Sequence, residues 1–286
     1  MRIANNLMAV NTHRQLSITS GYQTKSMEKL SSGLRINRAG DDAAGLSISE
    51  KMRNQIRGLQ QASANAQDAI SLIQTAEGAL TETHNILKRM RELVVKAGNS
   101  GALQNEDLQA IKDEITELNA ELSGIAQRTE FNGKKLLDGT YSGTFQIGAN
   151  KTQKLDLSIV TSGDSKSVGA TDLGVKDLND DLGEIAADGT VSGQNINKAL
   201  SGVDKAINMV STLRSKLGAN QNRLEYTIKN LDNAAENLQA AESRIRDTDM
   251  AKEMVEFTKQ NILQQAAQAM LAQANQAPQG VLQLLR

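Results

Sequence analysis

The chain has 286 residues, long enough for two modest domains at roughly 150 residues each. Its 32 Lys and Arg balance 33 Asp and Glu, which argues against a general attraction to nucleic acid or an anionic membrane. It has no Cys, which excludes disulfides, thiol nucleophiles and thiolate metal sites. Its single proline, Pro278, leaves room for very long helices, because an interior proline costs a helix about 3 kcal/mol.

Residues 3–34 place Ile3, Leu7, Val10, Leu16, Ile18, Met27 and Leu30 at loosely helical spacing. The opening MRIANNLMAVNTHRQL lacks the apolar run of a conventional signal peptide, and no stretch of about 18 apolar residues predicts a membrane span. From about 43 to 97, Met52, Leu59, Ala66, Ile73, Leu80, Leu87 and Val94 fall every seventh residue. Ala62, Ala69, Ala76, Met90 and Ala97 sit three positions after most of them, a heptad seam that predicts a long packed helix. Either Asp41 or Asp42 can cap its start. A second helix is predicted over 105–129, where Leu108, Ile111, Ile115, Leu118, Leu122 and Ile125 alternate by three and four.

Residues 138–193 carry no heptads. Thr144–Ile147 and Lys154–Val160 alternate apolar and polar around Gly148, Ala149 and Asn150, which predicts a β-hairpin with Leu155, Leu157 and Ile159 on one face. Residues 161–193 read as loops. Heptads return over 194–246 with Val203, Val210, Leu217, Leu224, Leu231, Leu238 and Ile245, accompanied by Ala199, Ala206, Ala234 and Ala241. At 1.5 Å per residue the two longest helices span roughly 75–80 Å, so a rod is expected. Residues 247–286 place Met250, Met254, Phe257, Leu263, Met270, Leu271, Val281 and Leu285 at helical spacing, with no charge from Asn261 to Leu285. A broad apolar face without charge needs neighbours on most sides, and here they are expected from other copies.

No catalytic or metal constellation emerges, and neither an enzyme nor a cofactor is expected. His13 and His84 are the only histidines and lie far apart in sequence. Asp41 and Asp42 are better read as capping groups than as an acid–base pair. The acidic run Asp177–Glu184 lacks the spacing of a calcium loop. Lys88, Arg89, Arg91 and Lys96 form a basic stripe with acidic residues nearby, which by itself is a solvated, ion-paired face.

Several segments resemble the bacterial flagellins. SSGLRINRAGDDAAGLSIS at 31–49 resembles their N-terminal signature, TEFNGKKLL at 129–137 their FNG motif, and QIGAN at 146–150 the hairpin that follows. The C-terminal ILQQAAQAMLAQANQAPQGVLQLLR resembles a flagellin C-terminus throughout. The resemblance covers roughly 1–160 and 195–286. It implies a mainly α fold: a long antiparallel helical bundle or coiled-coil rod with a small β-hairpin region and a short exposed insert. It implies an inner domain of terminal helices (1–44 and 247–286), an outer helical domain (45–160 and 194–246), and a variable surface insert (161–193).

The implied function is a filament subunit for swimming motility, exported through the flagellar type III channel to the extracellular flagellum. The implied partners are further copies of the chain, an export chaperone, and hook-associated and cap proteins. Self-assembly falls to Ile3, Leu7, Val10, Leu16, Met254, Phe257, Leu263, Met270, Leu271 and Leu285. Leu59, Ile73, Leu80, Leu87, Ile111, Leu118, Leu217, Leu224 and Leu231 are expected in the core of the outer domain. Arg89, Leu93 and Glu114 resemble the contacts of the vertebrate Toll-like receptor for flagellin. A hook–filament junction protein shares similar termini and is the alternative. An intracellular coiled-coil scaffold explains the heptads but leaves the uncharged C-terminal helix unexplained.

Overall fold

The computed structural model describes residues 6–99, 103–160, 167–185, 191–192 and 195–284. Ile3 and Leu285 lie outside the described residues. The architecture is mainly α, with small two-stranded antiparallel sheets. The helices are α1 (Leu7–Ser32), α2 (Ala43–Ala97), α3 (Asn105–Arg128), α4 (Leu178–Asp181), α5 (Ile196–Arg246) and α6 (Met250–Leu284). The strands are β1 (Glu130–Phe131), β2 (Lys134–Lys135), β3 (Ser142–Gln146), β4 (Lys154–Ser158), β5 (Glu184–Ile185) and β6 (Val191–Ser192). The chain divides into a unit of residues 1–56 with 235–286 and a unit of residues 57–234. The division falls within α2 and within α5.

The 57–234 unit is built on three helices. Ser63 donates to Asp232, Arg214 pairs with Glu77, and Arg91 pairs with Asp204, so residue numbers fall along α5 as they rise along α2. These two helices are therefore antiparallel. Arg89 meets Glu114, while Ala79 and Glu82 share a groove with Glu121 and Ile125, so α3 is antiparallel to α2 as well. Ile73, Leu80, Leu87, Ile111, Leu217, Leu224 and Leu231 are buried, and Leu118 is half-buried against the same core. Leu59 differs from the expectation of a core position. It is half-buried on the rim of an open hollow shared with Ile147, Leu231 and Ala234.

Leu72 and Leu93 lie off the heptad seam and are nonetheless buried. A helix packed against two neighbours needs a wider apolar stripe than a single seam provides, and α2 has α3 and α5 beside it.

The FNG motif has a local cause. Asn132 (φ 50°) and Gly133 (φ 73°) both take the left-handed conformation that a two-residue hairpin loop demands, and they join β1 to β2. Strands β3 and β4 pair from Ser142↔Ser158 to Gln146↔Lys154. Leu155, Leu157 and Ile159 are all buried beneath them.

The described part of 161–193 is more than the loops expected of it. Val168, Ala170, Leu173, Val175, Leu178 and Leu182 join the core of this unit. Val168 N donates to Leu137 O at 2.9 Å, and Asn179 Nδ2 donates to Thr116 Oγ1 at 2.7 Å, tying the segment to its neighbours.

Candidate assembly surface

The 1–56 and 235–286 unit is arranged differently. Helix α1 starts where Asn6 Oδ1 accepts from Ala9 N at 3.1 Å, which satisfies one of the orphan donors of the first turn. It stops at Gly33, whose φ of 71° is the left-handed cap that glycine adopts without strain. The chain then runs beside the α5–α6 junction. Arg35 N donates to Arg246 O at 2.6 Å, Thr248 N donates to Gly33 O at 2.9 Å, and Leu34 bridges Asp247 in antiparallel fashion.

The two adjacent aspartates have different duties. Asp42 Oδ1 accepts from Gly45 N at 2.8 Å and caps α2. Asp41 Oδ2 instead accepts from Arg38 N and Asn37 N and closes the preceding turn. These backbone N–H groups, Arg38 first, hold the Asp41 carboxyl below the usual carboxylate range. A Cβ at Gly45 would crowd the capping Asp42 carboxylate and come within 2.9 Å of the buried Ile36 side chain, so a larger residue needs both to shift. Asp249 Oδ1 accepts from Ala251 N at 3.0 Å and Lys252 N at 3.1 Å, starting α6.

Helices α1 and α6 pack against one another. Asn6 Nδ2 donates to Ala274 O at 2.7 Å at one end, and the Leu34–Asp247 bridge marks the other, so the pair is antiparallel. The residues buried along these two helices are Thr19, Ser26, Gln260 and Ala274, which are small or polar. Thr19 Oγ1 satisfies itself on Gln15 O at 2.5 Å, and Gln260 Nε2 donates to Glu256 Oε1 at 2.8 Å.

Many of the large apolar side chains of this unit are left exposed. Fifteen large hydrophobic residues are exposed among the described residues, and all but Val95 and Tyr226 belong to this unit. Leu7, Val10, Met254, Leu263 and Met270, expected to serve self-assembly, are exposed, while Leu16, Phe257 and Leu271 are half-buried. Met8, Ile18, Tyr22, Val255 and Ile262 extend the same exposed set. Burying one such side chain fully is worth roughly 1.5–3 kcal/mol, and the single chain leaves that stabilisation unrealised. The 1–56 and 235–286 unit thus carries most of the exposed large apolar side chains of the described residues.

In the 57–234 unit, the positions likened to receptor contacts divide. Arg89 Nε lies 2.8 Å from Glu114 Oε1, and its Nη1 is 3.3 Å from Glu92 Oε2. The Glu114 hydrogen bond, then that to Glu92, raises the Arg89 pKa further. Both side chains remain about half exposed. Leu93 is only 2% exposed, packed into the core. It therefore offers almost no contact area of its own, because α2 is covered on its α3 side.

Among the described residues no group of three or more His, Cys, Asp or Glu is placed to hold a metal, and no helix is long and apolar enough to cross a membrane.

The molecule is a helical subunit with one buried core cluster and a pair of helices that leave large apolar side chains exposed. Two family descriptions match it: "Bacterial flagellin N-terminal helical region" over residues 3–142 and "Bacterial flagellin C-terminal helical region" over 200–285. The chain is 58% identical to a flagellin of Bacillus subtilis and 56% identical to one of Halalkalibacterium halodurans, each alignment covering 100% of both chains. It is 50% identical to the flagellar filament 33 kDa core protein of Treponema phagedenis, again over 100% of both. The chain belongs to the flagellin family. A solved chain from Vibrio parahaemolyticus, named as a flagellar hook-associated protein, is 14% identical with a TM-score of 0.59, covering 72% of this chain and 100% of that one. That likeness is one of fold alone.

Proposed function

We propose that this chain is the repeating subunit of a bacterial flagellar filament, with a mechanical rather than catalytic role. The observation that carries the reading is the open apolar side of α1 and α6, whose polar and small side is already used in packing them together. Copies of the chain bury that surface in one another, at about 25 cal/mol per Å². Under this reading residues 1–44 and 247–286 form the inner part of the polymer and residues 45–160 and 194–246 the outer part. Residues 161–193 are a short insert, with its buried residues serving as a prop for the outer part. Relatives named as flagellins and a filament core protein, identical at half of positions or more, support a filament subunit over a hook–filament junction protein.

Several companions follow from the same reading. The subunit leaves the cell through the flagellar export channel without a cleaved signal peptide, and an export chaperone covers α6 beforehand. Hook-associated and cap proteins bound the polymer at its two ends. A host Toll-like receptor reads the free subunit around Arg89 and Glu114, with Leu93 holding α2 in place beneath them.

Seeded polymerisation of Met270→Lys tests the core of the proposal. A lysine would carry a charge into the buried interface, where an unpaired ion is strongly disfavoured. The variant should melt like the parent as a monomer and fail to elongate seeds. Normal elongation would refute the role given to α6.

A further inference from the structure

The sequence has nine methionines and no cysteine, so every sulfur in this chain is a thioether. Their placement is uneven. Met8 (68% exposed), Met27 (53%), Met250 (47%), Met254 (50%) and Met270 (55%) all lie on α1 or α6. Met90, by contrast, is fully buried, and Met209 is half-buried against the core of the 57–234 unit. An oxidant that takes up a sulfur lone pair thus meets no thiol first, and meets its most accessible thioethers on the surface reserved for assembly.

We propose that Met8, Met27, Met250, Met254 and Met270 are the oxidation sites of the free subunit, and that their sulfoxides bar it from the polymer. The oxidant is of the hydroperoxide class. The thioether lone pair takes one oxygen of hydrogen peroxide and the O–O bond breaks. The departing hydroxide collects the proton left on the transferred oxygen and leaves as water. Sulfur is oxidised by two electrons and the peroxide is reduced by two.

The product is a polar, chiral side chain in place of a flexible apolar one. On an exposed helix in the free subunit this costs little, because the sulfoxide is solvated. On addition to the polymer the same group must be desolvated without a designed partner, which is unfavourable. Met250 and Met254 are one turn apart on α6, so two such groups stand side by side on one face. In the assembled state these thioethers are covered, so the polymer resists what the free subunit does not.

The inference rests on the assembly role proposed above, and the experiment separates the two. Full-length subunit and preformed polymer are each treated with hydrogen peroxide, and methionine oxidation is mapped by peptide mass spectrometry. The oxidised and untreated subunits are then offered to untreated seeds. The five methionines of α1 and α6 should oxidise ahead of Met90 and Met209 in the subunit and be protected in the polymer. Oxidised subunit should elongate roughly tenfold more slowly or worse, with an unchanged helical circular dichroism spectrum. Treatment with methionine sulfoxide reductases should restore elongation, and a variant with all five changed to Leu should resist peroxide. If Met90 oxidises as fast as the five, or if oxidised subunit elongates normally, the proposal is overturned. Should the Leu variant fold poorly, recovery after reductase treatment decides the matter alone, and its absence overturns the proposal. Failure of untreated subunit to elongate overturns the assembly role instead.

Discussion

The Arg246 guanidinium lies 2.6 Å from the Glu50 carboxylate and joins the end of α5 to the first turns of α2. The Arg246 side chain is only 11% exposed, so Glu50 neutralises a cation that has little water around it. The hydrogen bond from Arg246 holds the Glu50 carboxyl below its ordinary 4.5. A lowered carboxyl pKa means that the unfolded chain takes up the proton first. The contribution of the pair is therefore present above about pH 4.5 and disappears as pH falls through the folded value. Glu50→Gln should lower the thermal melting temperature at neutral pH, and its curve should converge with the parent's as pH falls from 4.5 through the lowered folded value. Equal melting temperatures at pH 7 would show that the pair contributes nothing.

The buried residues of 168–182 make a second expectation concrete. Leu173→Ala or Leu178→Ala removes a buried side chain and leaves a cavity, which costs about 2–5 kcal/mol for leucine. Chemical denaturation monitored by circular dichroism should show that loss. Deletions reaching Leu182 should show a loss in the same assay. A melt unaffected by Leu173→Ala would mean the segment is not part of the core.

Helices α2, α3 and α5 were legible because a helix buried along one side repeats its apolar residues at a fixed interval, as Ile73, Leu80 and Leu87 do. The β3–β4 hairpin was legible from the alternation of Leu155, Leu157 and Ile159. Three things were not. Leu72 and Leu93 are buried because α2 has neighbours on two sides, and a single seam says nothing of a second neighbour. Val168, Leu173 and Leu178 pack without any repeat, so no periodicity announces them. Asp41 and Asp42 are equivalent by composition, and only backbone geometry assigns the helix cap to Asp42 and the turn to Asp41. On α1 and α6, apolar content and the absence of charge toward the C-terminus were visible in the sequence, but not that Thr19, Ser26 and Gln260 would be buried.

His84 provides a test in the mildly acidic range. It is half-buried on α2, its Nδ1 has no partner, and its pKa is lowered by burial first, then by Lys88 and Arg214. The unfolded chain binds the proton near the ordinary 6.5, whereas the folded chain resists it. Stability should thus be complete above about pH 6.5 and fall as the solution is acidified toward the lowered value. His84→Gln should flatten this part of a pH–melting profile. An unchanged slope between pH 7 and 5 would remove His84 as its cause.

Arg89 and Leu93 should separate by assay. Arg89→Ala breaks an exposed, solvent-screened ion pair and should leave the melt nearly unchanged. Leu93→Ala should cost about 2–5 kcal/mol because its side chain is buried. If a receptor reads this face, Arg89→Ala should weaken binding of the free subunit at temperatures where both proteins are folded. A Leu93→Ala variant with parental stability would contradict the burial of that residue.

The order of elements carries one more consequence. Helix α1 is the earliest and α6 the latest of the described helices, and each supplies half of one surface. Ribosomes therefore release the two halves at opposite moments of translation. A nascent chain that has produced α1, α2 and α5 can close its core around Leu80, Leu217 and Leu224, yet still lacks the groups that α6 adds. On the proposed assembly role, stalled or prematurely terminated products lack half of that surface and should fail to add to growing polymers, so the order of elements would select full-length chains.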